Sequence, residues 1–373
     1  MRTNISFSKF SRFLSVIFII SSVFIISFFN IPTAAGKQFP VLYQGIRPLG
    51  MGNAFITLSD DENALFYNPA GLNDIPGFGG FDLLNPAVSI SENAVDIFND
   101  LNDVDVNDVS KATELLNKYL GKNFHLSASL LPNLTMHNFG IGGLASAKAD
   151  GVIRNRANPE LELDAAIDIG PVAAIAYGFL DKRIQLGLGI KIIQRQSIKK
   201  KKWTAVDIAS NFDPLEEDLE KEQDFAFDLG AKINLPYDLP FYMGRPTIGI
   251  VAQNITDLDF KDLGKIPQQL NIGAAINPKF WILGSTFVIE MDDVTKNIDL
   301  DNDIYKRLHI GAELRLPMVL SIRGGFNQGY YTAGATIDLW ILRLDYATFG
   351  EEIGAFAGQR EDRRHIARLS LGF

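Results

Sequence analysis

From Phe78 onward the chain alternates apolar with polar or small residues at a period of two, the signature of strands with two unlike faces. In 184–192, Ile184, Leu186, Leu188, Ile190 and Ile192 share one face, and Gln185, Gly187, Gly189 and Lys191 share the other. The last segment sets Ala367, Leu369, Leu371 and Phe373 against Arg368, Ser370 and Gly372. The pattern predicts about fourteen strands: 78–90, 124–135, 138–150, 161–177, 183–198, 223–235, 246–254, 267–277, 280–291, 306–316, 318–328, 330–339, 341–349 and 363–373. Connections after the second, fourth, eighth, tenth and twelfth strands are short, whereas 91–123, 151–160, 199–222, 255–266, 292–305 and 350–362 are long. The exceptions are the turn 236–245 and the tight Gln328-Gly329 connection. A soluble sandwich has no reason to sort loop length by strand parity. A membrane barrel does, with tight turns at one end and extended loops at the other. The fold class expected is all-β, a transmembrane antiparallel β-barrel over 78–373.

The remaining composition narrows the choice. The chain has 373 residues, 35 Lys+Arg against 44 Asp+Glu, and no Cys. The acidic balance argues against nucleic acid as a partner. The lack of Cys removes disulfides, thiolate metal sites and a cysteine nucleophile. A mean hydropathy of +0.07 is too low for a bundle of helices that each need about 20 apolar residues. Arg2, Lys9 and Arg12 precede an apolar run from Phe13 to Phe29, and Thr33, Ala34 and Ala35 follow. This is the layout of a signal peptide over 1–35, cleaved after Ala35. An uncleaved membrane anchor is the other reading.

Local features fit a barrel. Trp203, Trp281, Trp340, Tyr330 and Tyr331 lie near strand ends, where an interfacial belt or ordinary surface packing would place them. Within 91–123, Val95, Phe98 and Leu101, then Ala112, Leu115, Leu116 and Tyr119, repeat at helical spacing. Two short helices folded over the barrel rim are expected. Asp299, Asp301 and Asp303 imitate a calcium loop, but Ile304 stands where Gly is needed and Ile310 where the bidentate Glu belongs. His125, His137, His309 and His365 are scattered without metal-ligand spacing, and no Gly-x-Ser-x-Gly occurs. Lys199 to Lys202 and Glu216 to Glu222 read as a solvated mixed-charge loop. No metal, cofactor or enzymatic activity is expected, with a Ser/His hydrolase built into the barrel wall as the minor alternative.

The most specific residues precede the first strand: Arg47-Pro48-Leu49-Gly50-Met51-Gly52-Asn53-Ala54-Phe55, then Asp60-Asp61-Glu62-Asn63-Ala64, then Asn68-Pro69-Ala70-Gly71-Leu72. With Arg307-Leu308-His309-Ile310-Gly311-Ala312-Glu313, Leu344-Asp345-Tyr346-Ala347 and the terminal Arg368-Leu369-Ser370-Leu371-Gly372-Phe373, the chain resembles the FadL/TodX outer-membrane superfamily, and more closely its PorV-like branch. The resemblance implies a fourteen-stranded barrel with residues 36–77 folded into the lumen as a hatch. Gly50, Met51 and Gly52 with Asn68, Pro69 and Ala70 would be the hatch residues beside any ligand path. Glycines permit close packing on the wall, and Asn-Pro forces a turn. A space-filling plug is the other reading of this segment.

Two functions follow from the resemblance. One is passage of hydrophobic small molecules across the outer membrane. The other is a PorV-like role in handling exported proteins, with no small-molecule transport. Glu313, Arg315, Arg323, Asp338, Arg343, Asp345 and Arg368 share the inward face of consecutive strands and would form an ionic ladder in the lumen. Each Arg facing lipid at midplane would cost roughly 2–4 kcal/mol, so the inward placement is the expectation. The ladder would seal this half as a structural wall, leaving any path beside Asn68-Pro69-Ala70. The terminal Phe373 resembles the signal read by barrel-insertion machinery. Partners expected are outer-membrane lipid, that machinery, and a hydrophobic ligand or exported proteins.

Overall fold

The computed structural model describes residues 38–104, 108–198, 201–211, 219–236, 239, 244–280, 283–298, 303–317 and 319–372. The expected signal peptide, Trp281, Asp299, Asp301 and Phe373 lie outside them. Eighteen hydrogen-bonded segments form one sheet, and they merge across four interruptions into a closed barrel of 14 antiparallel strands. These are β1 (Phe78–Leu84 and Ala87–Ser91), β2 (Asn123–Leu130 and Asn133–Met136), β3 (Phe139–Arg154), β4 (Glu160–Phe179) and β5 (Ile184–Ile198 and Lys202–Thr204). Next come β6 (Leu219–Asn234), β7 (Thr247–Gln253), β8 (Gln269–Ile276 and Lys279–Phe280), β9 (Leu283–Met291) and β10 (Leu308–Arg315). Last are β11 (Leu320–Asn327), β12 (Tyr330–Asp338), β13 (Leu342–Glu352) and β14 (Glu361–Gly372). Each strand pairs with its sequence neighbours, and β1 closes the ring on β14 through Ala87↔Arg368 and Ser91↔Arg364.

Closure leaves no free edge, and the outer face carries Val88, Ile141, Ile175, Leu188, Phe287, Ile322 and Leu344, all exposed. That surface suits lipid and not water. Turn chemistry agrees with the register. Gln328 and Gly329 both take positive φ, at 53° and 93°, as a two-residue hairpin requires, so β11 and β12 join tightly at the long-loop end. The ladder is interrupted at Asn85-Pro86 in β1 and Leu131-Pro132 in β2, because proline has no N–H to donate. Asn85 closes the gap: its side chain donates to Leu131 O at 2.6 Å and accepts from Leu131 N at 2.7 Å.

Helices α1 (Ile46–Gly50), α2 (Glu92–Asp103), α3 (Val109–Lys118) and α4 (Ala205–Asn211) complete the described elements used below. The expected pair in 91–123 forms, but its placement differs from a rim cover. Ala112 and Leu116 of α3 and Ala205 of α4 pack on Ile153, Leu161, Leu163 and Ile198, whose alternation puts them on the outer face of β3–β5. Trp203 belongs to that cluster and is only 2% exposed, which corrects its expected place in an interfacial belt, while Trp340 is 84% exposed. Long strands project their apolar outer face beyond the tight-turn half, and the helices cover it.

Candidate functional site

Residues 38–75 run from the long-loop end, where Gln38–Gln44 border His125 and Glu351, to the tight-turn end, where Ile75 meets Gly79. Between these ends the segment touches the inner wall on opposite sides. Gly50-Met51-Gly52 fits a trough of inward glycines on β10–β12. A Cβ on Gly311 would lie 2.2 Å from Met51 O, one on Gly325 2.6 Å from Gly52 N, and one on Gly334 3.0 Å from Gly50 Cα. Gly52 itself has a φ of +67°, and a Cβ there would lie 2.4 Å from Ile310 O. Its N–H donates to Thr332 Oγ1 at 2.9 Å, and its carbonyl lies 2.9 Å from His309 Nδ1.

Asn68-Pro69-Ala70 abuts β5 and β6. Asn68 caps the following turn by accepting from Ala70 N at 3.0 Å, and its amide donates to Ile56 O at 2.9 Å. A Cβ on Gly187 would lie 2.2 Å from Ala70 N, and one on Gly230 2.0 Å from Asn68 Oδ1. Backbone meets backbone at both motifs. None of the described cavities is lined by Gly50, Met51, Gly52, Asn68, Pro69 or Ala70.

The two sides of the lumen differ in chemistry. Along β2–β9 the segment's Phe55, Ile56, Leu65, Leu72 and Ile75 merge with Leu144, Val172, Ile193, Val251 and Val288 of the wall into one apolar core. Leu258, Phe260 and Ile266, from the loop after β7, turn inward and join it. Arg195 holds that loop from below: it pairs with Asp168 at 2.7 Å and lies 4.4 Å from the Phe260 ring centroid.

Along β10–β14 the lumen is ionic. The seven residues singled out by alternation, Glu313, Arg315, Arg323, Asp338, Arg343, Asp345 and Arg368, all line one cavity of about 280 Å³. Register partners Glu313 and Arg323 pair at 2.7 Å, and Asp345 and Arg368 at 2.9 Å. Arg315 is at the mouth, with its side chain 48% exposed, and pairs with Glu313 at 3.1 Å. Asp338 faces its register partner Arg343 across the ladder but instead accepts from Trp340 N at 3.0 Å. Arg343 turns to Asp82 at 3.0 Å and Glu62 at 3.3 Å.

Alternation did not single out Arg47 and the acids of the segment, which complete the network. Arg47 bridges Asp60 at 2.6 Å, Asp61 at 2.7 Å and Glu313 at 2.8 Å, and Arg368 donates to Glu62 at 2.7 Å. A signal existed, because four arginines against three acids on the inward face demand a further acid. Burial pushes the Asp61 carboxyl up to about 6, with Glu62 adding to it and Arg47 opposing. Burial also acts on Glu62, but Arg343 and Arg368 outweigh it and hold that carboxyl at about 2.

No protein-family profile and no curated protein matches this chain. Solved structures do. The Ralstonia pickettii toluene transporter TbuX is similar over 88% of this chain and 98% of its own, with 11% identity and a TM-score of 0.51. The Pseudomonas aeruginosa FadL homologue covers 90% of this chain and 99% of its own, at 11% identity and a TM-score of 0.46. The Pseudomonas putida toluene transporter TodX covers 90% and 98%, at 10% identity and a TM-score of 0.46. The barrel fold is therefore one that this chain shares with TbuX.

Proposed function

We propose that this barrel carries hydrophobic small molecules across the outer membrane, with residues 36–77 as a hatch and the barrel proper from 78. The observation that carries this reading is the apolar half of the lumen, where hatch side chains fill space that an apolar solute could take once they move. The fold shared with a toluene transporter supports the same conclusion. Two cavities flanking 39–44, of about 70 and 80 Å³, each hold only two or three water-sized groups. Passage beside Asn68-Pro69-Ala70 therefore needs a displacement of the hatch. The covalent state of the solute need not change in such passage.

Uptake of a labelled apolar solute by vesicles containing the purified barrel tests this: wild type should accelerate entry, and entry no faster than in protein-free vesicles contradicts it. PorV-like handling of exported proteins is the second reading. It is favoured by α2–α4, which leave Val95, Phe98 and Val206 exposed at the long-loop end. A barrel that gives no uptake but co-purifies with a secreted protein through α2–α4 would support that reading. Export by cleavage after Ala35 and assembly through Phe373 belong to the same proposal. Deleting Phe373 should lower the folded barrel recovered from membranes, and unchanged recovery contradicts its role as an assembly signal.

A further inference from the structure

His125 and Asp150 are register partners on β2 and β3, and Ser127 is the next inward residue along β2. His125 Nδ1 lies 2.7 Å from Asp150 Oδ1, and Nε2 lies 3.2 Å from Ser127 Oγ. With the neutral ring donating from Nδ1 to the carboxylate, Nε2 is left to accept the serine proton. Nucleophile, base and orienting acid thus stand in the order acyl transfer requires. Arg364 Nη2, 3.5 Å from the same Asp150 Oδ1, adds a positive charge beside the acid. Lys148, the register partner of Ser127, lines the same cavity and supplies a positive charge for a developing oxyanion. Strand geometry explains why a sequence reading misses the group: the three residues meet through pairing and the i, i+2 face, not through a nucleophile elbow.

The geometry points to an esterase site for short acyl groups, an activity beyond the transport reading and independent of it. The cavity against this triad measures about 80 Å³, about three water-sized groups, which fits an acetyl group and excludes a long chain. Val41, Leu42 and Ile366 give it an apolar side for the acyl methyl. Ser127 Oγ bonds to the ester carbonyl carbon as its proton passes to His125 Nε2. The carbon–alkoxy bond then breaks, and the alcohol leaves with that proton. Water attacks the acyl-Ser127 with the same base, releasing the carboxylic acid and restoring the serine. The sum is ester plus water to acid plus alcohol, with no change of oxidation state.

The test uses the full-length barrel in detergent. Methanesulfonyl fluoride, which transfers a group close to acetyl in size, should label wild type on the peptide containing Ser127, should label S210A equally, and should leave S127A unlabelled. Hydrolysis of p-nitrophenyl acetate should fall at least tenfold in S127A and in D150N, with unchanged heat-dependent gel mobility showing that both variants remain folded. Absence of a Ser127 adduct in wild type, or equal hydrolysis by wild type and folded S127A, overturns the site. If S127A does not fold, wild-type labelling at Ser127 alone decides. Hydrolysis of p-nitrophenyl hexanoate as fast as the acetate overturns the short-acyl assignment.

Discussion

The two halves of the lumen hold the same inserted segment by different balances of force: β2–β9 combines apolar packing with a Lys232–Asp74 pair at 2.6 Å, and β10–β14 relies on a network of ion pairs. On β2–β9, Leu65, Leu72 and Ile75 are buried among aliphatic wall residues. On β10–β14, Arg47 and Glu62 are tied into charges of the wall. Apolar packing is non-directional and yields to any apolar group of similar volume. A buried ion pair is directional, and removing one partner strands the other in a low-dielectric site. The ion pairs tie the segment to β10–β14, and on the transport proposal the apolar packing along β2–β9 is where a solute would enter.

The largest effect should come from breaking the ionic half. Arg368→Leu leaves Glu62 and Asp345 without their shortest ion-pair partner and should cost about 3–5 kcal/mol of barrel stability, read by thermal or urea unfolding. Arg323→Leu should cost less, about 1–3 kcal/mol, since Glu313 keeps Arg47 and Arg315. Solute preference should be unchanged in folded Arg323→Leu. A changed preference at unchanged heat stability would make these residues part of the pore.

Leu72→Ala cuts the apolar half and should cost about 2–4 kcal/mol by opening a cavity. Here the two halves should separate in function: uptake of an apolar solute should rise in Leu72→Ala and stay level in Arg323→Leu. Equal behaviour of the two variants would remove the distinction.

The smallest effect is the pH dependence that Asp61 and Glu62 bring to the ionic half. A carboxyl raised from about 3.9 unfolded to about 6 folded contributes stability below pH 4 that is lost as pH rises through 6. Glu62, held at about 2, contributes stability above its unfolded value near 4.3, which is lost on acidification. The contribution of these two groups should therefore peak at about pH 4 and fall from there to about pH 6. A midpoint higher at pH 5.5 than at 7.5 by a degree or two, flattened in Asp61→Asn, would agree. A midpoint that falls over the same step contradicts it.

Strands were legible because each residue's face is set by its immediate neighbours. Even the tight Gln328-Gly329 hairpin could be read from the chain, as could the inward set from Glu313 to Arg368. What lies between distant residues could not. Alternation says that Arg343 faces inward, but not that it leaves its register partner Asp338 for Glu62 and Asp82. The loop 199–222 reads as solvated from its charges, although Trp203 and Ala205 bury against the outer face of β3–β5. Nor does an apolar Leu258 or Phe260 in a long loop announce that the loop turns into the lumen.

The central claim is that the inserted segment must move for a solute to pass. Thr57 lies against β8, where a Cβ on Gly273 would sit 3.4 Å from Thr57 Cγ2, and the chain has no native Cys to interfere. A Thr57→Cys, Gly273→Cys variant can thus lock the segment to the wall by a disulfide. Uptake of a labelled apolar solute into vesicles should stop in the oxidised variant and return to the wild-type rate on reduction. Transport at the wild-type rate with the disulfide verified as closed would contradict the account.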